Sequence, residues 1–510
     1  MKHRRRCEVK KLTNITTVVL LLALILTQAA CSLSPLPESQ VHLTILHLND
    51  IYEITSVSGG TLGGLARVAS LRKQLVAQNL NTFVFFAGDL YSPSGMGTAI
   101  VEGTPLAGEQ AVAIMNKLRV NYMTFGDHEI DMISEEEFYQ RLTETKFPII
   151  SSNVFDANGQ PFPGVAVNDI YTIANQAGRN VRVGVFGVTE KIWKAHVDFT
   201  YIDPFKAAEE QVKILDDQVD ILIALTHHRL QDDIQLSKQF PAIDLILGGD
   251  EHQHTSEHPG PGLAPIYKSD SNARTVYILD LYYDTATGEL KIEERLQPLT
   301  DQIPEDPDIL QEVNRWVEIA FAAFRGEGFD PSEVVAPTTA DLDGFSTSIR
   351  NSPNEFTNLI TEGMLNAAPC TELALLYSFA IRLDDLIPKE SFVTQYDVLR
   401  TFPISNPTVI SVEMSGSSLK EVLELGRSSA GAGCYLLTSA NVVKNRAGTD
   451  WLINSESLDP ARKYQVAMTD DNPFSFCGPK PPPKLKVIQT HTDLRQSLID
   501  QLRAVAPVLK

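Results

Sequence analysis

The sequence predicts an α/β fold, in which a first region of alternating strands and helices is followed by a second, smaller α+β region. Three observations carry that prediction. Between residues 41 and 297, short runs rich in β-branched and aromatic residues alternate with amphipathic stretches of helical period. Those runs are apolar almost throughout, as expected of strands covered on both faces. A proline-flanked helical pattern near residue 308 then separates this rhythm from a new set of strand candidates beyond residue 334.

Strands are expected at 42–48, 82–87, 120–125, 181–187, 221–226 and 243–247, and helices at 64–78, 110–117, 135–144, 204–217 and 230–239. Residues 276–283 and 290–296 read as a hairpin turning on Thr285-Ala286-Thr287-Gly288. Pro304-Glu305-Asp306-Pro307 ends the sheet pattern and starts a helix at 308–325. The second region offers strands at 373–377, 409–414 and 464–469 and a helix at 418–425. The proline-rich stretch 478–483 reads as a stiff exposed loop. The resulting division is a leader over 1–30, a first domain over 41–300, a helical linker over 301–333 and a second domain over 334–510. Rotation about residues 308–326 would open and close a cleft between the domains.

Composition narrows the function. The 510 residues suffice for two to four domains at about 150 residues each. Hydrophobic content of 43% and charged content of 21% exclude a disordered or fibrous chain. The formal net charge is −21 and reaches −26 beyond residue 30. A surface that acidic repels nucleic-acid polymers, so any anionic substrate must be drawn in by local cations.

The first 30 residues read as an export signal. Lys2, Arg4, Arg5, Arg6, Lys10 and Lys11 precede an apolar run at 18–26, which ends in Gln28-Ala29-Ala30-Cys31. That run is too short for a hydrocarbon core of ~30 Å, which takes about 20 residues of helix. A periplasmic or cell-surface location follows. Cys31 after two alanines resembles the acylation site of bacterial lipoproteins, so the alternatives are a lipidated Cys31 holding the chain to a membrane, ordinary cleavage, and an uncleaved anchor over 12–30. Cys370, Cys434 and Cys477 allow one disulfide at most, and without a Cys-x-x-Cys pair a thiolate zinc site is not supported.

The polar residues that carry chemistry fall at strand ends. Asn49-Asp50-Ile51-Tyr52, Gly88-Asp89, Gly126-Asp127-His128-Glu129, Thr226-His227-His228 and Gly248-Gly249-Asp250-Glu251-His252-Gln253-His254 each follow or end a predicted strand. Open α/β sheets bind ligands beyond the carboxyl ends of their strands. One aspartate there commonly starts a turn; five strands delivering Asp or His to one edge form the pattern of a polynuclear metal site.

These blocks resemble, in order, those of the calcineurin-like metallophosphoesterases. Ile45-Leu-His-Leu-Asn-Asp50, Gly126 to Asp131 and Ser151-Ser-Asn153 resemble the exported 5′-nucleotidase and 2′,3′-cyclic phosphodiesterase branch. Arg350, Thr357 to Ile360, Tyr377-Ser-Phe-Ala-Ile-Arg382, and Phe402-Pro403 before Val409 to Gly416 follow the nucleotidase C-terminal domain of that branch. The resemblance implies a four-layer α/β-β-α sandwich joined by a helix to an α+β nucleotidase-type domain. It implies phosphoester cleavage at two divalent cations, which clamp the ester and activate a water. Asp89 would bridge the cations, with Asp50, Tyr52 and His252 completing one and Asp127, His227 and Asp250 the other. His128 would stabilise the phosphoryl oxygens or protonate the leaving group, and Asp131 would orient His128. Against those roles stand plainer ones: Tyr52 as a wall, His228 as a solvated neighbour, Glu129 as a loop holder, and His254 in place of His252 after a register slip.

Three positions depart from the family pattern. Tyr52 and Asp250 stand where the family has His, and Asp127 where it has Asn. The oxygen-rich set suits manganese or iron better than zinc, with magnesium also admissible, and a Tyr52 phenolate would favour ferric iron. In the second domain, Arg350 and Arg382 match arginines that hold phosphate or carboxylate. Tyr377 replaces an Asn, Ile404 stands where one stacking ring would be, and Phe474 or Phe476 would supply a stacking face or else belong to the core. The expected activity is removal of phosphate from nucleotides as small-molecule substrates. The alternatives are hydrolysis of 2′,3′-cyclic nucleotides or another phosphoester, and a retired lipoprotein that binds metal or nucleotide without turnover. Monomer and dimer both remain open.

Overall fold

A computed structural model describes residues 37–192, 196–404, 407–471, 474–480, 483 and 485–506, with only the backbone of Ser475 and Phe476. The leader, Cys31 and the side chain of Phe476 lie outside the described residues. No helix among the described residues is long and apolar enough to cross a membrane.

Two stacked sheets make the first lobe. One has seven strands in the order Val165–Ala166, Ile149–Ile150, Tyr122–Thr124, Thr82–Ala87, Gln40–Leu48, Thr275–Asp284, Glu289–Pro298. The first five run parallel and the closing hairpin antiparallel. The other sheet has six, in the order Asn168–Ala174, Asn180–Thr189, Ile221–His227, Leu245–Gly248, Ile266–Lys268, Thr255–Glu257. Alternation along the strands explains why the central strands of both sheets read as largely apolar runs. Leu43, Ile45 and Phe85 face Val183, Val185, Ile223 and Leu247 in a core between the sheets. Leu46, Leu48, Val84 and Phe86 turn outward against the helices Leu65–Gln78 and Glu109–Leu118. Phe186, Val188, Leu222 and Ile246 turn to the helices Pro204–Leu215 and Leu230–Gln239. The four layers are therefore helix, sheet, sheet, helix.

The helix Pro307–Gly326 starts at Asp306, whose side chain accepts the Ile309 N–H at 3.2 Å, with Pro307 in its first turn. It does not stand free as a hinge. Ile309, Val313, Trp316, Ala320 and Phe324 pack into the first-lobe core, and Asp306 and Glu312 pair with Lys73 and Lys117. That packing ties residues 309–324 to the first-lobe core. The second lobe has a five-stranded sheet, ordered Leu436–Thr438, Leu373–Tyr377, Lys463–Thr469, Thr408–Ser415, Lys486–Asp493. Helices Glu355–Ala367 and Leu494–Val505 cover one face and Gly416–Ser428 the other. Cys434 and Cys477 form a disulfide, and Cys370 is free and exposed.

Asp244 precedes a central strand and accepts the Leu222 N–H at 2.8 Å. Burial, with the Asp216 carboxylate adding to it, pushes its pKa up to about 6 against that hydrogen bond. The folded chain thus keeps this proton to higher pH than the unfolded chain, so stability falls as pH rises from about 4 to about 6. Asp244→Asn is expected to leave stability unchanged near pH 4 and to raise it at pH 7.5 by up to roughly 3 kcal/mol, seen as a higher melting temperature at pH 7.5 alone. An equal gain at both pH values, or none at 7.5, would show that the carboxylate charge is not the cause.

Candidate metal centre

All five strand ends deliver their polar residues to one edge of the stacked sheets. Asp50 follows Gln40–Leu48, Asp89 follows Thr82–Ala87, Asp127 and His128 follow Tyr122–Thr124, His227 ends Ile221–His227, and Asp250 and His252 follow Leu245–Gly248. The loops meet because glycines let them. Gly88 has φ +81°, and a Cβ at Gly126 would stand 2.0 Å from Asp89 Oδ1. Buried Glu129 then locks the two loops, accepting the backbone N–H groups of Asp89, Leu90, Tyr91 and Gly126 at 2.6–3.0 Å. Both Glu129 oxygens are thus committed to holding the loops.

Two donor groups result, Asp50–Asp89–His227 and Asp89–Asp127–His128, each with ligand atoms within 4.8 Å of one another. Asp89 belongs to both. His227 Nδ1 lies 2.7 Å from the Ala87 carbonyl, which makes that nitrogen the donor. The buried Nε2 is left without a hydrogen-bond partner, 3.7 Å from Asp89 Oδ1 and 3.6 Å from Asp127 Oδ1. A lone pair aimed between two carboxylates fits a cation. The Tyr52 hydroxyl lies 3.1 Å from Asp50 Oδ1, 2.9 Å from Asp89 Oδ2 and 2.8 Å from His252 Nε2. Ligands of one ion with bonds of about 2.1 Å stand about 3 Å apart, a spacing that the Tyr52 hydroxyl keeps to its three neighbours. Burial, aided by Asp89 and Asp50, raises the phenol well above its ordinary pKa.

His128 donates from its backbone to Asp89 Oδ1 at 3.1 Å, and its Nδ1 lies 2.9 Å from Asp131 Oδ1. Burial lowers its pKa, but the carboxylates of Asp127, Asp89 and Asp131 outweigh that and raise it to about 9. Burial is likewise outweighed at Asp127, where His128, His227 and Arg382 hold the carboxyl well below the usual range. Asp250 reaches the edge, its N–H donating to Asp50 Oδ2 at 3.1 Å, but its carboxylate joins neither donor group. His254 pairs with Asp270 at 3.1 Å and is half exposed, so it does not replace His252. His228 is buried beside Asp233 and Phe205, where a solvated ring was expected.

The second lobe brings two arginines. Arg382 Nη1 lies 3.4 Å from His128 Nε2, and its Nε donates to the Phe379 carbonyl at 3.1 Å. Arg350 has a buried Nε without a hydrogen-bond partner, and burial and Arg382 lower its pKa. Among the described residues neither guanidinium has a carboxylate within 4 Å. The expected aromatic partners are elsewhere. Tyr377 and Phe474 are 2% exposed, pack edge to face at 6.0 Å, and belong to the second-lobe core, so neither ring offers a face to a base.

Sequence reasoning missed three groups. Lys268 is buried, pairs with Asp233 at 2.9 Å and with Glu251, and donates to the carbonyls of His228 and Gly249, beside two strand-end loops. Its signal was a lone lysine ending an apolar strand. Glu190 follows the Asn180–Thr189 strand, and burial with Asp250 and Asp127 nearby pushes its pKa up to about 8. Asp384, two residues beyond Arg382, lies 3.1 Å from His252 Nδ1.

Comparison with known proteins agrees with this geometry. A profile of the calcineurin-like phosphoesterases matches residues 43–254, and one of the 5′-nucleotidase C-terminal domain matches residues 334–471. The 5′-nucleotidase of Diplobatis ommata is 27% identical over 367 residues, 66% of this chain and 61% of that one. The Homo sapiens 5′-nucleotidase is 28% identical over 359 residues, 64% of this chain and 60% of that one. The match thus spans about three fifths of the length of these curated relatives. A 5′-nucleotidase precursor from Thermus thermophilus shares the fold, with a TM-score of 0.73 at 22% identity over 91% of this chain and 97% of that one.

Proposed function

The chain belongs to the calcineurin-like phosphoesterases that carry a 5′-nucleotidase C-terminal domain, and from that premise we propose that it hydrolyses nucleotide phosphomonoesters with the aid of two divalent cations. One observation supports this reading above the rest. Two arginines without carboxylate partners among the described residues, Arg350 and Arg382, adjoin a nest of carboxylates and histidines, and Arg382 touches His128. A phosphoryl group is the anion that such a pairing suits, because guanidinium forks bind its oxygens on one side while cations hold the other.

Asp50, Tyr52, Asp89 and His252 would hold one cation, and Asp89, Asp127 and His227 the other, which the Asp250 carboxylate would join by a turn of its side chain. Bound there, the cations would supply charge neutralisation and a water of lowered pKa. The chain's own groups do the rest: Arg350 and Arg382 orient the phosphate, Asp131 fixes the His128 ring, and His128 Nε2 faces the reacting phosphoryl group. The oxygen-rich donors favour manganese or iron over zinc. The leader makes it an exported enzyme, with its divisions at 41–300, 301–333 and 334–510.

The test is phosphate release from AMP, ATP, UDP-glucose, 2′,3′-cyclic AMP and p-nitrophenyl phosphate, after chelation and with manganese, magnesium, iron or zinc restored. Metal-dependent release from nucleotides over the generic ester is expected, with manganese or iron restoring more than zinc. Arg350→Ala and Arg382→Ala should each raise KM about 10- to 100-fold, the equivalent of a charged hydrogen bond. Full recovery with zinc alone would overturn the metal preference. Preference for the cyclic ester would move the activity to a phosphodiesterase, and no release with any cation would overturn the enzymatic reading.

A further inference from the structure

Asp384 is built into the second lobe, yet its carboxylate ends at the metal centre of the first. It is 3% exposed, with a left-handed φ of 41°. Oδ2 lies 3.1 Å from His252 Nδ1 and accepts the Ser271 hydroxyl, and Oδ1 accepts the Ser346 N–H at 3.2 Å. The two atoms lie within ion-pair distance, although Nδ1 has no hydrogen-bond partner. The opposite ring nitrogen, Nε2, faces Tyr52 and Asp50 at 2.8 and 3.4 Å. Arg274 steadies the same residue from its backbone, donating to the His252 carbonyl at 3.0 Å while stacking 4.4 Å over Phe345 of the second lobe.

Other contacts dock the lobes without touching a metal donor. Asp385 accepts the Ser58 N–H at 2.9 and 3.0 Å and the Ser58 hydroxyl at 2.6 Å, and pairs with Arg400 at 2.8 Å. Adjacent acids therefore divide two tasks, Asp385 holding the interface and Asp384 reaching through it to a ligand. A carboxylate on the far nitrogen of a metal-binding histidine fixes its tautomer and raises its basicity.

We propose that Asp384 is a positioning residue for His252, and that the cation site of Asp50, Tyr52 and His252 reaches full affinity only with the second lobe docked. The inference rests on the metal-dependent reading above. By reciprocity, a cation at this site favours docking as much as docking favours the cation. Opening the lobes loosens one of the two cations and closing restores it.

The experiment is titration of the chelator-stripped protein with MnCl2, following free Mn²⁺ by electron paramagnetic resonance. Two bound ions are expected in the wild type. Asp384→Asn should weaken one of them about 10- to 100-fold and leave the other unchanged, while Asp385→Asn, which loosens the docking but keeps the carboxylate beside His252, should weaken the same ion less. In a His252→Ala background, adding Asp384→Asn should cost nothing further. Melting of the metal-free variants checks folding, and Asp384→Ala provides a second variant if Asp384→Asn does not fold. Wild-type Mn²⁺ affinity in a folded Asp384 variant overturns the proposal, as does weakening of the other ion by Asp384→Asn or an undiminished effect in the His252→Ala background. Because the readout is binding, a chain that shows the Asp384 effect but hydrolyses no ester overturns the proposed activity alone. A chain that hydrolyses nucleotides while Asp384→Asn binds normally overturns this inference alone.

Discussion

Asp89→Ala is expected to weaken Mn²⁺ binding at both positions at once and to abolish metal-dependent phosphate release. Among the described residues, Asp89 is the donor common to both candidate groups. Its Oδ2 accepts the Tyr52 hydroxyl at 2.9 Å, and its Oδ1 accepts the His128 N–H at 3.1 Å and lies 3.7 Å from His227 Nε2. No neighbour can take over, because Glu129 has both oxygens committed to backbone N–H groups. Loss of one preorganised donor to a transition-state oxyanion already costs about 10²–10³ in rate. Loss of the group that joins two cations should cost at least ~10³-fold. Stability gives a second readout, since a ligand at 100 times its Kd stabilises a fold by about 2.7 kcal/mol. MnCl2 should therefore raise the wild-type melting temperature and leave that of Asp89→Ala nearly unchanged. Full occupancy at either position, or activity within tenfold of wild type, would show that Asp89 does not bridge.

The strands and the metal edge were legible for the same physical reason. A strand packed on both faces must be apolar along its whole length, so the first polar residue beyond it marks the carboxyl end where ligands bind. Asp50, Asp89, Asp127 and His227 all stand at such breaks. Where a strand lies at a sheet edge, that contrast fades. Asn168–Ala174 is half-buried and mixes Asn, Asp and Thr with apolar residues, and it carried no strand signal. The strand expected at 120–125 shrinks to Tyr122–Thr124, because Val120 and Phe125 are buried without pairing in the sheet. The same two-faced burial misled the reading of the second lobe. Tyr377 ends a fully buried strand and Phe474 packs against it, so of the rings with two readings, stacking face or core, these two are core. Asp384 was illegible for a different reason. Its meaning lies in His252, on another lobe, and nothing in the local pattern Arg382-Leu383-Asp384-Asp385 distinguishes the acid that docks from the acid that reaches a ligand.

His128→Ala should lower kcat by about 10²–10⁴ while both Mn²⁺ ions stay bound, the signature of a lost acid–base or charge-stabilising group. Although His128 stands within 4.8 Å of Asp89 and Asp127, its ring is held differently from the ligands around it. Its Nδ1 is held by Asp131 at 2.9 Å, which leaves Nε2 as the nitrogen that faces the site. Nε2 stands 3.9 Å from Asp89 Oδ2 and 3.4 Å from Arg382 Nη1, between the carboxylate nest and the arginine that suits a phosphate. A group in that position can reach a phosphoryl oxygen or the leaving oxygen without holding a cation. Asp131→Asn, which loosens the ring without removing it, should cost roughly tenfold, and the double variant should be no slower than His128→Ala alone. Loss of one Mn²⁺ in His128→Ala would instead make His128 a ligand of the Asp89–Asp127 group. Unchanged turnover would remove it from the chemistry, and a double variant slower than the single would mean that Asp131 acts on something other than this ring.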